Sequence, residues 1–363
     1  MFISKHHYAV ELAKLGNTVY FLNSPEKSKD FRPGEIRIEK TDHNNLHVIK
    51  HKLFYPYILK HKAPAVHQFL LKFHIRNIFR RIGTAVDIVW SFDVSNTISL
   101  KAFPASCFKI FMPVDEPAMP EGAAGAEGAD VLFSVTNEIL DKYKDYHLPA
   151  MFVNHGVSEL FINEHPDLQR EGKIQVGISG NFLRPDIDWS TLFKIIKGNK
   201  DVIFNFYGAF DKSDSNLSDN RVVETNQQKQ KLLTLENVVL HGVVGSKTLA
   251  MNLKLMDCFL ICYDISKDQS GGTNYHKVLE YMATGKVIVS NNISTYAHNG
   301  DLVQMPAERN NKQLPELFFD VVHNLQKYNS TESRETRLKY ARKHTYKENI
   351  RRMERFINEN VLN

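Results

Sequence analysis

The most informative part of the sequence is Asp268-Gln-Ser-Gly-Gly-Thr-Asn-Tyr-His-Lys-Val-Leu-Glu-Tyr-Met-Ala-Thr-Gly-Lys-Val-Ile-Val-Ser290. An apolar run ending at Tyr263 precedes it, and the paired glycines Gly271 and Gly272 lie near its start. A helical pattern, a turn at Gly285 and a second apolar run follow. A strand, a glycine-rich loop, a helix and another strand in this order are typical of a parallel βαβ unit.

The same stretch carries residues suited to binding a nucleotide. Adjacent glycines, Gly271 and Gly272, let a backbone approach a ligand closely, and a helix from about Asn274 would offer free amides to a phosphate. Lys277 and Glu280 are three residues apart and share one helix face. A lysine there suits a diphosphate, and a carboxylate can accept both hydroxyls of a ribose. A glycine-rich connection followed by a solvated Lys–Glu pair explains the spacing equally well.

Short apolar runs alternate with amphipathic stretches of helical length along the whole chain. The predicted strands are Thr18–Leu22, Asp87–Phe92, Phe108–Met112, Val131–Val135, Met151–Asn154, Ile174–Ser179, Val202–Tyr207, Val238–His241, Cys258–Tyr263 and Val287–Ser290. Most are continuous apolar runs, as expected for parallel strands buried on both faces. The alternation occurs twice and predicts an α/β fold of two Rossmann-like, doubly wound domains.

The domain boundary is predicted between residues 156 and 157. The polar segment 163–172, which contains Pro166, is predicted to be a linker. At the other end, Met1–Tyr8 leads into a helix with no strand before it, whereas a Rossmann domain usually opens with a strand. The first strand of the N-terminal domain is therefore missing from the pattern. We expect that the chain begins inside a longer gene product; a domain lacking this element is the alternative.

Composition bounds the class of protein. The 363 residues are 42% hydrophobic and 24% charged, which suits two globular domains. Three cysteines cannot form a disulfide framework, and buried thiols in a reducing cytosol are expected. No signal peptide is recognisable, and no apolar run reaches the roughly 18 residues needed to span a bilayer. A cytoplasmic protein is predicted.

No metal or cofactor is expected. Asp186-Ile-Asp188 has the Asp-x-Asp form of a metal site, but it precedes a helical pattern, so one of the acids is predicted to be an N-cap. No other group of His, Cys, Asp or Glu residues has the spacing of metal ligands.

The segment 50–81 is basic and aromatic. The region from His43 to Val86 contains no acid and eight Lys or Arg residues. Ala65–Arg81 is predicted to form an amphipathic basic helix that contacts the inner face of an anionic membrane. A helix packed on the first sheet with an incidental basic face is the alternative. No nucleic-acid partner is expected, because no DNA- or RNA-binding motif accompanies the charge.

The stretch quoted first resembles the donor-binding signature of group 1 glycosyltransferases with the GT-B fold, in which two Glu residues are separated by seven others. The second Glu, which holds the donor ribose, matches Glu280. The first, which touches the sugar, falls on Gly272, so the chain departs from the pattern there. Many relatives carry Asn-x-x-Lys-x-x-Glu-Tyr-Met-Ala-x-Gly-Lys instead, which this chain matches at Asn274, Lys277, Glu280 and Gly285.

Weaker marks follow the family order from about Lys5 to Val361. They are Ala129–Thr136, Val153–Val157, Val176–Asn181, Leu240–Gly242 and Lys343–Tyr346. The resemblance implies an acceptor-side domain over residues 1–156 and a nucleotide-sugar domain over 157–345. It also implies a terminal helix, 346–363, that packs back on the first domain.

The resemblance implies a metal-independent hexosyltransferase of cell-envelope polysaccharide biosynthesis. It would transfer a sugar with retention from a nucleoside diphosphate to a glycan or lipid-linked acceptor. The implied donor-binding residues are Gly180, Arg184, Gly271, Gly272, Thr273, Asn274, Lys277 and Glu280. The catalytic candidates are Asp93, Asp115 and His7, beside His6, with capping or solvation as the alternative for each. A nucleotide-sugar epimerase and a non-catalytic nucleotide-sugar-binding protein are the rival functions.

Overall fold

The computed structural model describes residues 3–117, 124–162, 172–211, 222–268 and 270–362. The chain divides into two compact units, Met1–Asn154 with Tyr346–Asn363, and His155–Thr345. This division lies beside the boundary predicted between residues 156 and 157, and it assigns the terminal segment to the first unit. The predicted linker 163–172 lies, apart from Gly172, outside the described residues.

The first unit contains two hydrogen-bonded sheets. Its strands are β1 (Val19–Leu22), β2 (Ile36–Lys40), β3 (Leu46–His51), β4 (Ile88–Ser91), β5 (Phe108–Phe111), β6 (Val131–Ser134) and β7 (Ala150–Phe152). The order β1-β3-β2 forms one sheet, with β2 antiparallel, and β4-β5-β6-β7 forms a parallel sheet. The sequence did not predict β2 and β3, since polar side chains interrupt their apolar residues.

The helices of the first unit precede and follow these strands. They are α1 (Ser4–Lys14), α2 (Leu59–Lys62), α3 (Pro64–Ile82) and α4 (Asn137–Asp141), with the terminal helix Tyr346–Asn360. Tyr8 of α1 packs edge-on against Tyr346 at 4.9 Å between ring centroids. Asn349 donates to the Tyr8 hydroxyl at 3.1 Å and to the Asn154 carbonyl at 2.9 Å. These buried contacts attach the terminal helix to the first unit.

The second unit has a five-stranded parallel sheet. Its strands are β8 (Ile174–Ser179), β9 (Val202–Tyr207), β10 (Val238–Gly242), β11 (Cys258–Ile261) and β12 (Val287–Ser290). Its helices are α5 (Glu159–Ile162), α6 (Trp189–Gly198), α7 (Val222–Leu233), α8 (Ser246–Lys254), α9 (Lys277–Met282), α10 (Leu314–His323), α11 (Leu325–Tyr328) and α12 (Thr331–Lys343). The terminal helix of the first unit, Tyr346–Asn360, is α13. The strand order β10-β9-β8-β11-β12 confirms the predicted doubly wound topology.

The chain reverses direction across this sheet between β8 and β11. From β8 it builds outward through β9 and β10, then returns to place β11 on the other side of β8. All residues of β11 and β12 are buried, as their continuous apolar runs predicted. Gly177 lets β8 approach β11 closely, because a Cβ there would lie 2.8 Å from the Phe259 ring.

A buried arginine fixes the turn that follows α9. Arg337 of α12 is 1% exposed and donates to the carbonyls of Gly285 and Tyr328 at 2.9 and 2.6 Å. Burial lowers the pKa of Arg337 to about 10, with the nearby Arg334 adding to this effect. Gly285 has a positive φ of 75°, which explains the glycine at the predicted turn.

The three cysteines are buried with free thiols. Burial raises the pKa of Cys258 and of Cys262, as expected for structural thiols. In the described ranges, no helix combines the length and the apolar character needed to cross a membrane.

Candidate functional site

The strongest candidate site lies at the carboxyl ends of β8 and β11. Ligands of open α/β sheets bind at such a reversal point. Ser179 ends β8, Tyr263 follows β11, and Lys277 begins α9. The Lys277 ammonium donates to the Ser179 carbonyl at 2.7 Å and, in a short hydrogen bond, to the Tyr263 hydroxyl. Lys277 therefore bridges the two strands that flank the reversal point.

Two glycines make this bridge sterically feasible. A Cβ at Gly180 would lie 2.6 Å from Lys277 Nζ, and a Cβ at Gly208 would lie 1.6 Å from the Gly180 carbonyl oxygen. A side chain at Gly208 would clash with the backbone, and one at Gly180 would displace the Lys277 ammonium. The structure thus places the predicted site residue Gly180 directly against Lys277.

Arg184, in the loop after β8, joins the same cluster. It donates through Nε to Asp186 at 2.8 Å and approaches Asp268 at 3.5 Å. Its guanidinium carbon and the Lys277 ammonium each lie 4.9 Å from the centroid of the Tyr263 ring. Two cations therefore share one aromatic ring at the strand ends.

The electrostatic setting keeps Arg184 charged. Burial opposes the charge, but the hydrogen bond that Arg184 donates to Asp186 and the charges of Tyr263, Asp186 and Asp268 raise the pKa of Arg184 above its usual value. Its side chain is 36% exposed, so part of it faces solvent. The two carboxylate partners of Arg184, Asp186 and Asp268, are buried, so the guanidinium is held within the cluster.

The glycine-rich loop is organised by Asp268. Its carboxylate accepts hydrogen bonds from the amides of Ser270 and Gly272 at 3.0 and 3.1 Å and from the Tyr275 hydroxyl at 2.7 Å. Gly271 and Gly272 have φ values of 61° and 68°, a left-handed conformation that favours glycine. The loop is therefore prearranged by its own hydrogen bonds.

These bonds correct the predicted start of the helix. α9 begins at Lys277, whereas the sequence pattern placed its start at about Asn274. Residues 270–272 form a turn and residues 273–275 are irregular, because Asp268 and the left-handed glycines hold the loop in that form. The Gly272 amide is engaged by Asp268 and is not a free helix N-terminal donor. Thr273 and Asn274 are each 7% exposed and form the floor of this loop.

The structure also explains the departure from the two-Glu pattern at Gly272. A Cβ at this position would lie 3.0 Å from Ile265 Cγ1 and 3.3 Å from the Asn292 carbonyl oxygen. The positive φ adds strain for any L-residue. A glutamate here would therefore press on these neighbours from a strained backbone conformation.

Glu280 lies one turn after Lys277 on the same short helix and is half-buried. Burial raises the pKa of its carboxyl to about 7, although the Lys277 charge acts in the opposite direction. Within the described part of the chain, no hydrogen bond to this carboxylate is formed. Because Lys277 is only 6% exposed, the two residues are not the solvated pair of the alternative interpretation. Glu280 keeps its acceptor capacity for a ligand.

The three catalytic candidates all lie in the first unit. The Asp93 carboxylate accepts hydrogen bonds from the amides of Thr97 and Ile98 at 2.6 and 3.0 Å, so it caps the loop after β4. Asp115 is exposed beyond the end of β5. His7 stacks on Tyr346 with ring centroids 4.8 Å apart, and burial lowers its pKa, as does the neighbouring His6. These environments give Asp93 and His7 structural roles within the unit.

The Asp-x-Asp sequence is divided between two structural roles. Asp186 pairs with Arg184, and Asp188 is the N-cap of α6, accepting from the Thr191 amide at 3.0 Å. The predicted N-cap is therefore Asp188. No group of three or more potential metal ligands occurs among residues 3–117, 124–162, 172–211, 222–268 and 270–362.

Replacing Asp188 with alanine is expected to lower the free energy of unfolding by about 1–2 kcal/mol, because the helix loses its cap. Asp188→Asn keeps an acceptor at this position and should lose less. Chemical denaturation measures both.

Nucleotide binding by the wild type should be equal in EDTA and in manganese; binding that EDTA abolishes and manganese restores would contradict these assignments.

Sequence reasoning missed three members of the cluster, namely Tyr263, Asp268 and Tyr275. Tyr263 could have been found from its place at the carboxyl end of a predicted parallel strand. The bond between Asp268 and Tyr275 closes a loop that contains the left-handed Gly271 and Gly272, so only the folded loop reveals it.

Comparison of the sequence with models of protein families and with curated proteins finds no match. Solved structures do match. A trehalose-phosphate synthase from Burkholderia xenovorans, solved with glucose-6-phosphate, has a TM-score of 0.67 at 10% identity over 98% of this chain and 96% of its own. A glycosyltransferase from Rickettsia africae has a TM-score of 0.63 at 13% identity, with coverages of 97% and 93%. Anabaena HepE, solved with UDP and glucose, has a TM-score of 0.61 at 12% identity, with 86% of each chain covered.

The chain has the GT-B fold. At these identities the likeness concerns the fold and not the substrate. The GT-B fold confirms the predicted pair of Rossmann-like domains. It also makes the reversal point of the second sheet the natural place to look for a nucleotide.

Proposed function

We propose that this protein is a glycosyltransferase that uses a nucleoside diphosphate sugar as donor. The observation that carries the proposal is the placement of Lys277 and Arg184 together beside the Tyr263 ring at the reversal point of the sheet. A diphosphate is the ligand that two fixed cations at a sheet edge suit best. Glu280, one turn away with free acceptor oxygens, is suited to the two hydroxyls of a ribose.

Transfer requires breakage of the bond between the sugar C1 and the diphosphate oxygen. A new bond then forms between C1 and an acceptor oxygen, and the acceptor proton leaves with the phosphate. Lys277 and Arg184 would stabilise the negative charge that builds on the leaving diphosphate. The donor phosphate would itself assist the acceptor, which gives retention of configuration.

The acceptor is proposed to be a polysaccharide or a lipid-linked glycan at the cytoplasmic face of the membrane. The complexes of HepE with UDP and glucose support a hexose donor for this chain. The family position of the sugar-contacting Glu is filled by Gly272, so the sugar contacts of this protein are proposed to differ from those of the two-Glu enzymes.

An epimerase would need acid and base groups converging on the sugar. Gly272, at the position of the first Glu of the family pattern, carries no acid or base, and neither does Phe92, whose ring stacks on Trp90 at 5.4 Å. This arrangement favours a transferase over an epimerase.

Incubation with a panel of nucleotide sugars, with and without extracted membrane glycolipids, tests the proposal. Release of nucleoside diphosphate that increases with acceptor is the expected result. Epimerised donor without release would identify an epimerase. Tight binding with no turnover under any condition would identify a non-catalytic binding protein.

The affinity for a nucleotide sugar is expected to rise about tenfold between about pH 6 and about pH 8. Glu280, with a pKa of about 7, must lose its proton to accept both ribose hydroxyls, and the ionised fraction increases over this range. Calorimetry measures the affinity, and Glu280→Gln should remove the dependence. An equally steep profile in the Gln variant would assign it to another group. The raised pKa also means that folding loses stability from this group as pH rises.

A further inference from the structure

Helix α3 has one face that belongs to the core of the first unit. The residues buried on this face are His67, Leu71, His74, Ile75 and Ile78. Leu71, Ile75 and Ile78 pack in one apolar cluster with Ile49 of β3. The predicted helix Ala65–Arg81 is therefore present, as Pro64–Ile82, and is anchored to a sheet through this face.

The opposite face of α3 is apolar at its N-terminal half. Phe69 is 72% exposed, and Val66 and Phe73 are 49% and 47% exposed. These positions are three and four residues apart, so they share one side of the helix. The ring of Phe54, which is 37% exposed, meets Phe73 edge-on at 6.0 Å and extends the patch beyond the helix. A contiguous exposed patch of this kind marks an interaction surface.

The C-terminal half of the same face is basic. Arg76 and Arg80 continue the line of Phe69 and Phe73, Lys72 lies beside them, and Arg81 follows in the last turn of the helix; all four are exposed. Among the described residues, none of these four cations forms an ion pair. Other bases of the segment are used within the fold: Lys50 pairs with Glu39, and Lys60 donates to the Ser95 carbonyl.

We propose that this outer face of α3 docks on an anionic lipid bilayer. Phe69 and Phe73 enter the boundary between headgroups and acyl chains, and Lys72, Arg76, Arg80 and Arg81 contact lipid phosphates. Charge complementarity selects this occupant, because the face contains no acid and combines cations with exposed aromatic rings. The docking gives the proposed transferase access to a lipid-linked acceptor and in that sense rests on the proposed function.

Co-sedimentation with phosphatidylglycerol-rich vesicles and with phosphatidylcholine vesicles tests the docking. The wild type should sediment with the anionic vesicles at about 50 mM salt, at least about tenfold less at about 500 mM, and hardly at all with the neutral ones. Phe69→Ser with Phe73→Ser should weaken binding about tenfold or more. Phe319→Ser is the matched control, since Phe319 is a 51% exposed phenylalanine in the second unit, and it should bind as wild type.

The charge contribution has its own control. Arg76→Gln and Arg80→Gln should each weaken binding to the anionic vesicles about fivefold. Lys339→Gln with Lys343→Gln, exposed bases on α12, should change nothing. Phe69→Trp should show a blue-shifted emission on anionic vesicles, because the ring leaves water; this readout does not depend on the stability of the Ser variants.

Wild type that stays in the supernatant with anionic vesicles at low salt would overturn the docking. The docking would also be overturned if the Phe69→Ser, Phe73→Ser variant bound anionic vesicles as the wild type does and a polyanion such as RNA displaced both proteins equally. A surface that is only basic predicts that result. Calorimetry with nucleotide sugars separates the two proposals. Vesicle binding without any nucleotide-sugar binding would remove the proposed function and leave the docking.

Discussion

Replacing Lys277 with methionine is expected to weaken the binding of a nucleoside diphosphate by about 2–4 kcal/mol. The ammonium is held against Tyr263 and Ser179, so it meets a diphosphate without losing much side-chain freedom. Removal of a prearranged, partly desolvated charge costs more than removal of a surface charge. Methionine keeps most of the apolar volume of the lysine stem. Calorimetric titration of the two proteins with the same nucleotide measures the difference.

Two further variants control for damage to the fold. Tyr263→Phe keeps the ring against both cations and removes one hydroxyl, so its loss should be smaller than that of Lys277→Met. Lys247→Met, at an exposed position of α8, should bind as wild type. Equal affinities for wild type and a correctly folded Lys277→Met, judged by thermal unfolding, would remove Lys277 from the site.

Replacing Glu280 with glutamine is expected to reduce donor affinity by about 1.5–3 kcal/mol. The amide keeps the shape of the side chain but weakens the charge-assisted hydrogen bonds to the ribose hydroxyls. Because burial raises the pKa of Glu280 to about 7, the neutral glutamine should not disturb the fold. A loss of donor affinity in Glu280→Gln would therefore reflect weaker binding and not a less stable protein.

One ligand tests directly whether Glu280 binds the ribose of the donor. Inorganic pyrophosphate has no ribose, so its affinity should fall in Lys277→Met and stay unchanged in Glu280→Gln. Glu316→Gln, at an exposed position in α10, is the matched control and should bind every ligand as wild type. A Glu280→Gln variant with unchanged affinity for all common nucleoside diphosphates would refute the assignment.

The strands that the sequence predicted well are those buried on both faces. Ile174–Ser179, Val202–Tyr207 and Val287–Ser290 match the structure residue for residue. Their environment is apolar on every side, so composition alone reveals them. β2 and β3 were missed because they alternate apolar with polar side chains, and the buried His51 of β3 reads as a polar position.

The sequence named only part of the candidate site, and it did not predict how these residues are arranged. Lys277, Arg184 and Glu280 were identified from the sequence and its resemblance to a family. Their contacts with Tyr263 and Asp268 depend on segments far apart in the chain, which no local pattern encodes. The hydrogen bonds of Asp268 also set the helix start at Lys277, three residues later than the pattern suggested. Local propensity cannot anticipate a loop that is held by its own side chains.

The most direct test of a nucleotide site at the reversal point is a calorimetric panel of UDP, GDP, ADP, CDP and dTDP. Wild type is predicted to bind at least one of them with a Kd of about 0.1 mM or tighter, and Lys277→Met to lose most of that affinity. Absence of binding for every nucleotide, or binding that Lys277→Met leaves unchanged, would contradict the placement of the donor between β8 and β11.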